Sequence, residues 1–272
     1  PRSCEIHGIK TFNGAKADDV ILKTASVIIN TKSPLASVFD DVIIGKQAIL
    51  PEVDDIVYED RLGTTGWIYR KKILVGTRDL LIHHGVPVLK EDFEKKYTRK
   101  GRKVLYLAEA GKVMAMFVVS YSADPQLKKA LRKLEKSGMT ILVRSADPFI
   151  NDESIAELFE LPDGYIRVMN SSNGRAFEKY SNLFAQKSPA YIVHNGSALG
   201  LVSAFSAAED LQETRKLISV LISFGSALGL GVVGLFAFVG GIDQLDAIKV
   251  ALFQAAWCIF VNLLAKIKSL FM

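Results

Sequence analysis

The chain has 272 residues, 49% hydrophobic and 23% charged, with a formal net charge of +5. That length suits about two domains, and the apolar share is too high for a disordered chain. Its two cysteines, Cys4 and Cys258, lie far apart, which excludes a disulfide scaffold and a multi-cysteine zinc site and fits a reducing compartment.

Pro1–Lys16 is mixed polar sequence without the apolar core of a secretory signal, so the hydrophilic body is expected in the cytoplasm. Asp18–Asp41 has the spacing of a helix interrupted at Pro34, with Val20, Ile21, Thr24, Val27 and Ile28 on one face. Ile56–Tyr58, Trp67–Tyr69 and Ile73–Val75 are short runs of β type, separated by Gly63-Thr64-Thr65-Gly66 and by Arg70-Lys71-Lys72. They predict a small antiparallel sheet in which Gly63–Gly66 is a two-glycine hairpin loop. Helices near Asp79–His84 and Glu91–Tyr97 close this unit. Adjacent helical residues point about 100° apart, so His83 and His84 are read as a polar helix C-terminus rather than a metal site. Glu94–Lys103 is basic and polar, and is read as a solvated link between domains in preference to an acidic-lipid or nucleic-acid patch.

Beyond the link the rhythm becomes βαβ. Val104–Leu107 and Val113–Val119 are strands, and Leu127, Ala130, Leu131 and Leu134 stripe a basic helix that stops at Gly138. Strand Thr140–Val143, helix Phe149–Phe159, strand Tyr165–Val168, helix Ala176–Ala185 and strand Tyr191–Val193 follow, with Asp163-Gly164 as a turn. Alternation of this kind predicts right-handed crossovers and a doubly wound parallel sheet.

From Leu217 to Ile242 no residue is charged, a run of about 39 Å as helix against a hydrocarbon core of about 30 Å. Gly225, Gly229, Gly231 and Gly234, among Ser223, Ser226 and Ala227, suit close approach of membrane helices. A second run, Val250–Ala265, lies between Lys249 and Lys266 and spans if its helix starts near Leu245. Asn262 is its clearest polar residue, and either lines a path or bonds a neighbouring helix. Arg215 and Lys216 precede the first run, Lys266 and Lys268 follow the second, and the connector carries Asp243 and Asp246. The positive-inside rule places both ends in the cytoplasm. The expected division is residues 1–96, 97–216 and 217–272. The expected partners are the lipid bilayer and other transmembrane helices or subunits, and not nucleic acid.

Function in a parallel sheet sits at the carboxyl ends of its strands. Here those ends read Arg144-Ser145-Ala146-Asp147 and His194-Asn195-Gly196-Ser197. In these residues the chain resembles the P-type cation-transporting ATPases, particularly the heavy-metal branch, whose phosphorylation domain has a haloacid-dehalogenase-like fold. Gly101–Leu161 carries the resemblance best, with a β-hairpin, a basic helix, Gly138-Met139-Thr140-Ile141-Leu142-Val143 and the following helix, and Lys72-Ile73-Leu74-Val75-Gly76-Thr77 is similar to the nucleotide-domain strand and its closing glycine. The resemblance implies an α/β protein: a partial haloacid-dehalogenase-like parallel sheet, an α+β nucleotide-domain-like insert and a C-terminal transmembrane helix pair.

The departures from the family pattern are as informative. No Asp-Lys-Thr-Gly-Thr occurs in the 272 residues, which begin about where the sequence after that motif would begin, so the nucleophile strand is either lost or lies outside this sequence. The family's Thr-Gly-Asp, which grips the phosphoryl group, corresponds to Ser145-Ala146-Asp147. Its Gly-Asp-Gly-x-Asn-Asp corresponds to His194–Leu199, so Asn195 and Leu199 stand where carboxylates hold Mg²⁺, and Mg²⁺ is not expected to bind tightly. Lys179 stands for the lysine that pairs with the phosphoryl dianion, or is a solvated helix lysine. In the nucleotide pocket Ile28 takes the place of a glutamate, Thr31–Ala36 replaces Ser-Glu-His-Pro with Ser33 at the histidine, and Gly63 and Gly66 represent the glycine pair beside the adenine. The implied ligand is ATP or another nucleotide. The expectation is a catalytically degenerate ATPase-like membrane protein acting as a binding or regulatory module. The alternative is the C-terminal part of an active pump whose nucleophile strand and other spans lie upstream.

Overall fold

The computed structural model describes residues 4–31, 33–44, 47–170, 173–177, 179 and 196–270. It separates into two compact units, Pro1–Tyr191 and Ile192–Met272, each taken by itself below. The architecture is mixed α/β, with two apolar helices at the C-terminus.

In the first unit β1 (Cys4–Thr11) leads to α1 (Ala17–Ile28) and α2 (Pro34–Val42), then to β2 (Asp54–Glu59), β3 (Gly63–Ile68) and β4 (Lys71–Gly76). Helices α3 (Arg78–His83) and α4 (Glu91–Lys95) precede β5 (Lys103–Glu109) and β6 (Lys112–Tyr121). The six strands form one antiparallel sheet in the order β1-β6-β5-β4-β3-β2. Alternate residues of β5 and β6 point to opposite faces, and both faces are covered. Leu105, Leu107, Ala115, Phe117 and Val119 join a core with Val20, Ile28, Leu35 and Phe39 of α1 and α2. Tyr106, Met116 and Val118 join a second core with Leu80 and Leu81 of α3. Pro34 opens α2 at its first turn behind the N-cap Ser33, the expected break in the helical run.

Two expectations are corrected here. Gly63–Gly66 is not a loop but the first part of β3, buried along its length. The chain reverses at Asp60–Leu62, with Leu62 N–H bonded to Glu59 O at 3.0 Å, and again at Tyr69-Arg70, both at positive φ (50° and 62°). Glycine is needed at Gly63 because it faces Gly76 across the ladder: a Cβ there would stand 2.5 Å from the Gly76 Cα. Second, Val104–Leu107 and Val113–Val119 are strands of the hairpin that the resemblance implies, not of the parallel sheet that the βαβ rhythm suggests. β5 pairs antiparallel with β4 and β6, and β6 with β1, so the ladder runs across the division expected at 96/97. The physical reason is Ala110-Gly111, both at positive φ (48° and 78°). A two-residue connection makes a hairpin, whereas a parallel crossover takes a dozen residues or more.

The βαβ rhythm holds further on. Helix α5 (Pro125–Glu135) precedes β7 (Ile141–Arg144), α6 (Asp152–Phe159) and β8 (Ile166–Met169), and β7 and β8 pair in parallel. Asn151 and Ser154 close the start of α6 with a reciprocal capping box. The Tyr165 hydroxyl, just before β8, donates to Leu131 O of α5 at 3.2 Å. Strand Tyr191–Val193 and most of helix Ala176–Ala185 lie outside the described residues.

The second unit is a helix pair, α7 (Ala198–Phe238) and α8 (Ala247–Leu270). Both are long and apolar enough to cross a membrane by length and composition, and α7 starts well before the expected span at Leu217. The Trp257 indole N–H donates to Leu221 O at 3.0 Å. Beneath that ring lies Gly225, where a Cβ would stand 2.5 Å from Trp257 Cε2, and Gly229 faces Phe253 in the same way. Gly231 and Gly234 meet nothing within 4 Å. The Asn262 amide donates to Cys258 O of its own helix at 2.8 Å.

Candidate functional site

The loop after β7 carries Ser145 and Asp147, and the structure brings the two together: the Asp147 N–H donates to Ser145 Oγ at 3.1 Å. The carboxylate does not face outward. Asp147 is 1% exposed. It accepts the Tyr121 hydroxyl of β6 at 2.9 Å to both oxygens, the Phe149 N–H at 3.0 Å, and the backbone N–H of Leu35 in the first turn of α2. Burial pushes its pKa up to about 6, against the pull of those three donors. Burial and the Asp147 charge in turn hold the Tyr121 phenol well above its ordinary range, and push the Cys4 thiol of β1 up to about 12. The cluster therefore ties the β7 loop to the six-stranded sheet and to α2. Chemically it is an interior anchor.

Of the other residues assigned to the phosphoryl side, Lys179 is exposed and Asn195 lies outside the described residues. Leu199, in the first turn of α7, brings no oxygen to a cation. Among the described residues no group of three or more His, Cys, Asp or Glu is arranged to hold a metal ion.

On the nucleotide side, α1 packs across β3, so the expected elements do adjoin. Each assigned residue is nevertheless used internally. Ile28 is buried in the core beneath α1 and α2. Ser33 caps α2, accepting the Ala36 N–H at 3.3 Å and the Thr31 hydroxyl at 3.0 Å. Gly63 lies against Gly76, and a Cβ on Gly66 would stand 2.7 Å from Val53 Cγ1. The place beside Gly66 is thus covered by Val53, which itself packs on the core.

A polar network that sequence reading missed lies across β2, β3, β4 and the end of α3. Glu59 Oε1 accepts the Thr65 hydroxyl at 2.7 Å and meets His84 Nε2 at 2.6 Å, while Lys72 Nζ stands 2.9 Å from His84 Nδ1. An ammonium has only protons to give, so Nδ1 is the acceptor and Nε2 carries the proton donated to Glu59. Burial alone would raise Glu59, but the bonds from His84 and Thr65 outweigh it and hold the carboxyl below its usual range. His83 stays 65% exposed and 3.9 Å from the other Glu59 oxygen. The sequence places the histidines at a helix end, as found. Their carboxylate partner, 25 residues away, leaves no local signal.

No family model matches the chain. It is similar to copper-transporting ATPase 2 of Rhizobium meliloti (strain 1021), with 22% identity over 176 residues, 64% of this chain and 21% of the relative. The chain therefore spans about a fifth of the length of that curated relative. A crystal structure of a zinc-transporting PIB-type ATPase in the E2.Pi state aligns over 97% of this chain and 47% of its own, at 12% identity and TM-score 0.45. The catalytic domain of the CPx-ATPase CopB-B aligns over 66% of this chain and 62% of its own, at 18% identity and TM-score 0.36. The chain resembles heavy-metal P-type ATPases.

Proposed function

We propose that this is a P-type-ATPase-like membrane protein whose nucleotide and phosphorylation regions no longer carry catalysis and act as a binding or regulatory module. The observation that carries the reading is Asp147, the one carboxylate kept at the assigned phosphoryl site. Its oxygens are spent on Tyr121, Phe149 and Leu35 inside the protein. Phosphoryl transfer depends on positioning and on neutralising developing charge. With Leu199 for a metal carboxylate and Asp147 turned inward, the residues assigned to the phosphoryl side supply neither.

Ser145, Asp147, Lys179 and Asn195 are the remnant of the phosphoryl side in this reading, and Ser33, Gly63 and Gly66 that of the nucleotide side. ATP or another nucleotide is the ligand class, admitted only if Val53 swings away from Gly66. The body and both helix ends are assigned to the cytoplasm on the positions of Arg215, Lys216, Lys266 and Lys268. Neighbouring transmembrane helices would meet α7 where Gly231 and Gly234 leave it open.

The test is labelling with γ-phosphate-labelled ATP and Mg²⁺ in membranes, with a nucleotide titration by thermal shift. We expect no hydroxylamine-sensitive phosphoenzyme above background. An acyl-phosphate on this chain overturns the reading. A second reading, part of an active pump for a soft metal cation, is favoured by the fifth of the curated relative's length that the chain spans. Labelling on an aspartate encoded ahead of Pro1 would select it.

A further inference from the structure

The loop between α4 and β5 carries Lys95, Lys96, Arg99, Lys100, Arg102 and Lys103 with no acid among them. All are exposed except half-buried Arg102. Sequence pattern alone reads such a run as a solvated link. Two structural facts change that. The run does not link domains, since its last residue already pairs with Val119 in the six-stranded sheet. It is also not neutralised. Lys95 reaches Glu91 and Asp92 only at 4.0 and 3.8 Å, and the side chains of Lys96, Arg99, Lys100, Arg102 and Lys103 have no hydrogen bond or ion pair among the described residues. Elsewhere the protein does pair its cations: Lys128 of α5 sits 2.7 Å from Glu160, which Arg132 also meets. These six cations alone carry +6, against a net charge of +5 for the whole chain.

We propose that this loop is a docking surface for anionic lipid headgroups. Each Lys or Arg near a negatively charged bilayer surface favours association, and clusters of four to eight suffice to hold a segment there. The proposal rests on the reading that α7 and α8 insert, because insertion tethers the loop within reach of the bilayer and turns weak binding into an intramolecular event. A single-stranded nucleic acid is the less fitting polyanion. It needs exposed rings on which bases stack, and the aromatics here are turned inward: Tyr97 is half-buried against Phe93 at 5.3 Å, and Phe93 lies against Phe12 at 6.3 Å.

The experiment uses the full chain with Cys258→Ser, a fluorophore on Thr98→Cys, and nanodiscs containing a headgroup-attached quencher. Cys4 is buried and does not compete for label. With about 30% phosphatidylserine the docked-to-free ratio should rise about tenfold over phosphatidylcholine alone, and fall back in about 0.5 M salt. The variant K96Q/R99Q/K100Q/R102Q should abolish the rise, and R99K/R102K should keep it. Equal quenching in both lipids, or a rise that survives the neutral variant, overturns the proposal. So does tight salt-sensitive binding of a single-stranded oligonucleotide without any lipid response. Resistance to carbonate extraction, measured in parallel, reports insertion separately, so loss of docking in an extracted protein indicts the membrane reading and loss in an inserted one indicts the loop.

Discussion

Asp147 and Glu59 are both carboxylates taken largely out of water, and the protein treats them oppositely. Asp147 receives only neutral donors, a phenol and two backbone N–H groups, so burial wins and its pKa rises to about 6. Glu59 receives His84, braced by Lys72, together with the Thr65 hydroxyl, and its pKa falls. Depth and donors both differ: Asp147 is 1% exposed and burial outweighs its neutral donors, whereas Glu59 is 19% exposed and the bonds from His84 and Thr65 outweigh a smaller burial cost. Asp147 therefore anchors the β7 loop at an electrostatic cost, while Glu59 joins three strands and a helix end with a net electrostatic gain.

The sharpest way to break this comparison is through pH. A carboxyl whose folded pKa is raised binds its proton more tightly in the folded state, so its contribution favours folding at acid pH and is lost as pH rises through the folded value. For Asp147, between an ordinary 3.8 and about 6, that loss is on the order of 3 kcal/mol. Urea unfolding in detergent, read by Trp67 fluorescence in a Trp257→Phe background, should show stability falling from about pH 4 to about pH 6, and Asp147→Asn should flatten the slope. A slope that persists in the variant removes Asp147 as its source. Glu59 has the reverse sign: its contribution is present above the ordinary glutamate range and disappears as pH falls through its lowered value. Glu59→Gln should therefore cost stability at neutral pH and nothing in strong acid.

Next in size is the anchor itself. Tyr121→Phe removes the only side-chain donor to Asp147 among the described residues while keeping the ring that packs on Phe149. Losing a hydrogen bond to a buried charge should cost about 2 kcal/mol at neutral pH. The same change should move the upper end of the Asp147 slope to higher pH, since a donor that favours the charged form is gone. A large stability loss without movement of the slope would mean that the phenol acts through packing alone.

How much of this was legible in the sequence depends on how local its cause is. The break at Pro34, the apolar face of α1 and the two C-terminal helices follow from spacing within one or two turns. The hairpin of β5 and β6, which the resemblance implied, is fixed locally by the two-residue turn Ala110-Gly111; the pairing of β5 with β4 and of β6 with β1 has no such local cause. Gly63–Gly66 looked like a loop because glycine and threonine favour turns, and only Gly76, brought opposite by the ladder, shows why glycine is required in a strand. Of the assigned site residues, Ser145 and Asp147 meet in one loop, and α1 packs across the strand of Gly63 and Gly66. Their inward commitment was invisible, because Tyr121, Leu35 and Val53 reach Asp147 and Gly66 only after folding.

The smallest effect tests the other half of the comparison, the claim that Lys72 stands behind Glu59. Lys72 is only half-buried, so Lys72→Met should cost less than about 1 kcal/mol, within the range of exposed pairs. Its informative readout is the imidazole. With the ammonium 2.9 Å from Nδ1, that nitrogen is held unprotonated and the proton stays on Nε2, aimed at Glu59. Nitrogen chemical shifts of His84 should show one tautomer in the parent and a mixture in the variant. The Glu59→Gln penalty should also shrink in the Lys72→Met background, because the two changes act on one chain of hydrogen bonds and cannot add. Strict additivity would separate Lys72 from Glu59, leaving the hydroxyl of Thr65 and the proton on His84 Nε2 to account for the lowered carboxyl.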